Sequence, residues 1–148
     1  MALRNLVVVV SLVAGGLLGC ESAVSNEDDA ADRLQQEDWV AEAILGQTVV
    51  KAGHVTLTFA EARVSGRSGC NLYSGPAEYG HGRVKIGPLI STKMACQEEG
   101  VMAQESVYLN ALQSAARYGI TADGKLTVTT AAGDLVFDGA ARQARPEN

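Results

Sequence analysis

Histidine is scarce in this chain, with His54 and His81 the whole complement, and cysteine is limited to Cys20, Cys70 and Cys96. Two histidines among scattered carboxylates give none of the spacings by which a chain ligates zinc, so no metal or other cofactor is implied. A nucleophilic mechanism needs a base beside its serine or thiol, and the only histidines fall in a strand pattern (His54) and a turn (His81). Aromatic residues are only 5% of the chain, so the core must be built mainly from Val, Leu, Ile and Ala, with Trp39, Phe59 and Phe137 as its large anchors. Excess positive charge is also lacking. From Trp39 onward ten acids face ten bases, which argues against a nucleic-acid partner needing a basic surface.

Long apolar runs are missing after residue 18. Residues 6–18 (LVVVVSLVAGGLL) follow Arg4 and form an apolar stretch of about 13 residues, too short to span a bilayer and of the length of a secretion signal. The stretch ends in Leu17-Leu18-Gly19-Cys20, which resembles the lipobox at which bacterial lipoproteins are cleaved and lipidated. The expectation is a signal peptide over residues 1–19 and a membrane anchor through acyl chains on Cys20. Each buried methylene contributes about 0.8 kcal/mol, and two or three chains hold a protein where one does not. Glu21, where inner-membrane retention would need Asp, favours the periplasmic face of the outer membrane by resemblance to Gram-negative sorting rules.

The negative charge sits next. Between Glu21 and Asp38 seven acids stand against Arg33 alone, and few apolar residues interrupt them. Residues 20–37 therefore read as a lipidated cysteine and a flexible acidic tether, roughly 20 to 25 Å long as a coil. What remains, residues 38–139, is roughly 100 residues and one modest core, hence one domain. Residues 140–148 read as a disordered tail.

Within the domain, residues 54–59 (HVTLTF) alternate with Val55, Leu57 and Phe59 on one face, the two-residue period of a half-buried strand. Residues 83–86, 125–129 and 134–137 repeat that pattern. Turns are expected at Gly80-His81-Gly82, Ala122-Asp123-Gly124 and Ala132-Gly133. Residues 101–118 break it: Val101, Tyr108, Leu112 and Ala115 share a face at helical spacing, and Gly119 is placed to end the helix. The fold class is α+β, a curved antiparallel sheet with one amphipathic helix packed across it.

With Cys20 assigned to lipid, Cys70 and Cys96 are left as a pair in an oxidising compartment. A disulfide between them would close a loop of about 27 residues and contribute about 3.5 kcal/mol. The functional alternative is a redox-active pair, for which the C-x-x-C spacing is missing. The glycine-rich residues 64–75 (VSGRSGCNLYSG) allow close backbone approach, yet match neither a nucleophile elbow nor a phosphate-binding loop.

That same run, followed by residues 86–96 (IGPLISTKMAC) and by residues 102–105 (MAQE) heading a helix, resembles the META domain family, HslJ-like bacterial envelope proteins. With Trp39 and the V-x-L-x-F strand, the resemblance covers roughly residues 38–139. It implies an antiparallel, incompletely closed β-barrel with one helix across it, an envelope location, and a link to heat stress and antibiotic tolerance. It implies no catalytic residue. On this reading Gly66, Gly69 and Gly75 shape a bulged strand and its turn, and Cys70 and Cys96 align with family cysteines. Asn71 bonds local backbone, while Thr92 and Met94 fix the loop entering the helix.

Glu105 stands apart. At 100° per residue it falls within the apolar stripe, between Val101, Tyr108, Leu109 and Leu112, where a lone carboxylate is costly to bury. It is expected either to accept N–H groups from the glycine-rich run or the 92–96 loop, or to serve a ligand or acid/base chemistry. The function that follows is a non-enzymatic, membrane-anchored envelope lipoprotein, a binding or structural module related to stress or antibiotic tolerance. Beyond the membrane, its partner would be another envelope protein or a small apolar ligand. The alternative is a lipid- or peptide-binding carrier, or a pilotin-like chaperone, with a groove between helix and sheet. An envelope hydrolase would need Ser68 or Ser74 beside His54 or His81.

Overall fold

The computed structural model describes residues 25–141. The expected signal peptide over residues 1–19, Cys20, and residues 142–148 of the expected tail lie outside the described residues. A first helix, α1 (Ser25–Gln36), leads into β1 (Glu37–Ile44), β2 (Gln47–Thr48), β3 (Thr56–Ala60), β4 (Arg63–Arg67), β5 (Leu72–Gly80), β6 (Arg83–Ile86) and β7 (Ile90–Ser91). The second helix, α2 (Val101–Gln113), precedes β8 (Ala115–Ile120), β9 (Leu126–Thr130) and β10 (Gly133–Ala141). All strand pairs are antiparallel, in the order β1-β3-β4-β5-β6-β8-β9-β10, and β10 pairs again with β1. The result is a closed eight-stranded barrel, with β2 and β7 as short additions to β1 and β5.

Closure corrects the expectation of an incompletely closed barrel. β10 runs on to Ala141 and pairs with β1 from Glu37↔Ala141 to Ile44↔Leu135, so residues 140 and 141 are strand and not tail. Full pairing leaves neither strand with a row of unsatisfied N–H and C=O groups. Alternation puts Trp39, Leu57, Phe59, Val64, Val84, Val128 and Phe137 inside, each 3% exposed or less. Trp39, Phe59 and Phe137 thus anchor the core.

The single helix is also corrected, and so is the flexible tether over residues 25–36, the rest of the tether before Ser25 lying outside the described residues. Residues 25–36 form α1, whose Leu34 is fully buried and whose Ala30 packs on the core. Those two positions, four apart, share a helix face, and one stripe is enough to dock a short helix however acidic its other side. Trp39 Nε1 donates to the Leu34 carbonyl at 3.3 Å, and Arg33 bonds Glu37 at 2.9 Å. Average composition over the segment concealed this short apolar stripe.

The predicted helix over 101–118 is too long. It ends at Gln113, where the Ser114 N–H and hydroxyl both reach the Ala111 carbonyl, at 2.9 and 2.8 Å. Ala115 and Tyr118 are buried as part of β8. A bulge between Ala115 and Arg117 puts two exposed residues between two buried ones, so the strand imitates helical spacing. The expected bulge beside Gly66 is not there, since β4 and β5 pair in unbroken register from Arg63↔Pro76 to Arg67↔Leu72. Gly66 serves a close approach instead: a Cβ would stand 2.1 Å from the Thr56 carbonyl oxygen and 3.0 Å from the Tyr73 hydroxyl, which bond each other.

α1 adjoins the barrel end where β1 begins, and α2 feeds β8 at the opposite end, where β1 finishes. There Tyr108 of α2 is fully buried, its ring edge-on to Tyr73 and Phe137.

Candidate functional site

The sequence-selected residues converge at the α2 end of the barrel. The β4–β5 connection carries Ser68, Gly69, Cys70 and Asn71, and the segment after β7 carries Thr92, Met94 and Cys96. From the second turn of α2, Glu105 reaches the first segment directly and the second through Asn71. Gly69 turns with φ 132°, a conformation side chains disfavour, and the place of its missing Cβ is 3.3 Å from Val101 Cγ1, so the helix lies directly on the loop.

Glu105 Oε2 accepts from Ser68 Oγ at 2.8 Å and from the Asn71 backbone N–H at 2.9 Å. Its Oε1 accepts from Asn71 Nδ2 at 2.7 Å. Asn71 Nδ2 donates its other proton to the Met94 carbonyl at 3.1 Å, while Oδ1 accepts from Thr92 Oγ1 at 2.8 Å and the Met94 N–H at 2.7 Å. All four side-chain hydrogen-bonding positions of Asn71 are used, which fixes its amide orientation. Thr92 Oγ1 in turn accepts the Leu72 N–H at 3.1 Å. The Cys70–Cys96 disulfide joins the same two segments covalently, with Cα atoms 5.9 Å apart.

Burial pushes the Glu105 carboxyl up, but the Asn71 N–H, the Asn71 amide, the Ser68 hydroxyl and the Cys70 N–H outweigh it and hold the group below its ordinary value. It is therefore an ionised acceptor at neutral pH, a poor proton donor and a weak base. Ser68 is 0%, Asn71 2% and Glu105 6% exposed, so these three present almost nothing to solvent, whereas Thr92 and Met94 on the outer side of the cluster are exposed. Neither histidine joins it: His54 and His81 are exposed, and among the described residues neither bonds Ser68 or Ser74. Ser74 Oγ accepts from Arg63 at 3.2 Å. Gly75 belongs to the wall, where a Cβ would meet Leu89 Cδ2 at 2.7 Å. Among the described residues no group of three potential metal ligands gathers.

Two further ties escaped the sequence reading. Gln104, next to Glu105, accepts the Val50 N–H at 2.7 Å and donates to the Gly53 carbonyl at 3.2 Å, latching α2 to the loop before β3. Its signal was its place in the MAQE run. The Tyr73 and Tyr108 hydroxyls lie 2.7 Å apart inside the barrel, and Tyr73 donates to the Thr56 carbonyl at 2.8 Å. Burial, reinforced at Tyr73 by its neighbour Tyr108, pushes both phenols up, so neither ionises at any physiological pH. An isolated tyrosine in a strand carries no such signal.

The META domain model matches residues 32–142. Two structures solved by NMR are similar. A protein from Burkholderia xenovorans is 30% identical over 79% of this chain and 90% of its own, with a TM-score of 0.63. A second protein is 26% identical over 72% of this chain and 92% of its own, with a TM-score of 0.60. Among curated proteins none matches.

Proposed function

Because this chain belongs to the META domain family, we propose that it is a membrane-anchored, non-enzymatic envelope lipoprotein whose barrel is a binding or structural module. One observation carries the reading: the family-motif residues Ser68, Asn71, Thr92 and Glu105 are spent on one another, with Ser68, Asn71 and Glu105 buried. The Cys70–Cys96 disulfide supports an oxidising compartment. A tolerance role in heat or antibiotic stress, and the periplasmic face of the outer membrane, complete the proposal from the resemblance and from Glu21.

Docked α1 changes the geometry of anchoring. Only four residues lie between Cys20 and Ser25, which allows a reach of about 18 Å at full extension. An acylated Cys20 would hold the α1 end of the barrel against the membrane surface. The carrier alternative needs an unfilled groove between helix and sheet, and Tyr108 and Leu112, both 0% exposed, occupy that space.

Intact-mass spectrometry of protein extracted from membranes, with and without reductant, tests the anchor. A mass lacking residues 1–19 and gaining acyl groups supports it; an unprocessed or unacylated Cys20 sinks it.

A further inference from the structure

The barrel is joined unevenly. β1 and β10 share seven register pairs, whereas β6 and β8 share one, Arg83↔Arg117. Their neighbours Val84 and Tyr118 are buried, so both arginines stand on the outer face, and both are exposed. Like charges directly opposite on antiparallel strands repel. Two cations of this surface have carboxylate partners, Arg33 with Glu37 and Lys125 with Glu42 and Asp138, whereas Lys51, Arg67 and Lys93 stand apart from one another without one among the described residues. Among the described residues Arg83, Arg117 and Lys85 have none.

Beside this seam lies a groove of about 410 Å³, walled by Glu78, His81, Arg83 and Lys85 and, across the seam, by Ala116. Arg83 and Lys85 thus line the groove with one carboxylate, Glu78, which is opposite Lys85 in register without forming an ion pair, and Arg117 stands next to the groove, opposite Arg83. The Tyr118 N–H donates to the Gly82 carbonyl at 3.0 Å, the hydrogen bond that an additional bridge between the arginines would reinforce.

We propose that Arg83, Arg117 and Lys85 bind a multivalent oxyanion of the phosphate type across the β6–β8 seam. Guanidinium groups present planar, forked donors that match such oxygens two at a time. The bound anion turns a repulsive pair into a shared clamp and zips the least-paired strands of the barrel. The β5–β6 turn lies at the α1 end of the barrel, the end that the proposed anchor would hold at the membrane, so the oxyanion has two sources, a free phosphate or a lipid headgroup.

The test uses the chain with Cys20→Ser, so that no acyl anchor contributes, at low ionic strength. Inorganic pyrophosphate is titrated while backbone amide NMR and calorimetry are followed. The expected result is a Kd of about 1 mM or tighter, with shifts at Gly82, Arg83, Arg117 and Tyr118 and a raised melting temperature. Arg83→Gln with Arg117→Gln should weaken binding about tenfold or more without lowering the anion-free melting temperature, and Glu78→Gln should tighten it. Vesicles of phosphatidylcholine with and without phosphatidylglycerol separate the sources. Pyrophosphate-competable binding to anionic vesicles assigns a headgroup, and pyrophosphate binding without vesicle binding assigns a free phosphate. No titration by either probe, or titration unchanged in the double variant, overturns the site.

Discussion

Glu105 holds Asn71 twice, through the side-chain amide at 2.7 Å and the backbone N–H at 2.9 Å. One carboxylate on a helix thereby fixes both the conformation of the β4–β5 connection and, through the far side of the Asn71 amide, the loop that bears Met94. Removing it strands buried donors. Glu105→Ala should cost about 3 kcal/mol, because the buried Asn71 N–H and one proton of the Asn71 amide lose their acceptor, while the Ser68 hydroxyl keeps only the Asn71 carbonyl. Glu105→Gln should fold and lose roughly half as much, since its amide nitrogen must face Asn71 Nδ2. Urea denaturation of the two variants checks this; a wild-type midpoint for Glu105→Ala would refute the tie.

The same carboxylate sets an acid limit. Its folded pKa is depressed below its ordinary value of 4.5, so its contribution is fully present above pH 4.5 and disappears as pH falls through the folded value. Stability measured from pH 6 downward should begin to fall at about that ordinary value, and the decline should be shallower in Glu105→Gln. Equal acid limbs in the two proteins would place the titration elsewhere.

Cys70 adjoins Asn71 and Cys96 follows Met94 by two residues, so the disulfide and the Glu105 tie brace the same two segments. Replacing both cysteines with alanine should cost about 3.5 kcal/mol by loop entropy. Hydrogen exchange of the Asn71 and Met94 amides should accelerate beyond that of β9. Uniform acceleration across the barrel would mean that the two braces are independent.

Leu34 is the contact by which α1 holds the barrel, and Trp39, the only tryptophan, bonds its carbonyl. Leu34→Ala should cost about 2 to 4 kcal/mol, and Leu34→Asp should release the helix. Released, Trp39 should emit at longer wavelength, and residues 25–36 should become sensitive to protease while the barrel stays closed. An unchanged Trp39 spectrum in Leu34→Asp would show that α1 does not depend on this side chain.

Much of this protein was legible in its sequence, and the gaps have identifiable causes. Strands with strict two-residue alternation, such as β3 with Leu57 and Phe59, were readable because one face of each meets the core. β1 was not, since its inward positions include small Ala41 and a register shift follows it. β8 was mistaken for the end of α2, because its bulge spaces Ala115 and Tyr118 as a helix would. Glu105 announced itself by sitting in an apolar stripe, which only hydrogen bonding offsets. The tyrosine pair gave no such conflict and so no signal, and Gln104 had only its place in the MAQE run.

The sequence by itself determined the local periods, the family motif, the candidate disulfide pair and the need of Glu105 for partners, all properties of residues near one another in the chain. Only the tertiary structure decided that the barrel closes, that α1 docks, and that Arg83 faces Arg117. Each of those depends on which strand edges and apolar stripes find one another across many residues, and pairing of that kind is selected by the free energy of the whole core.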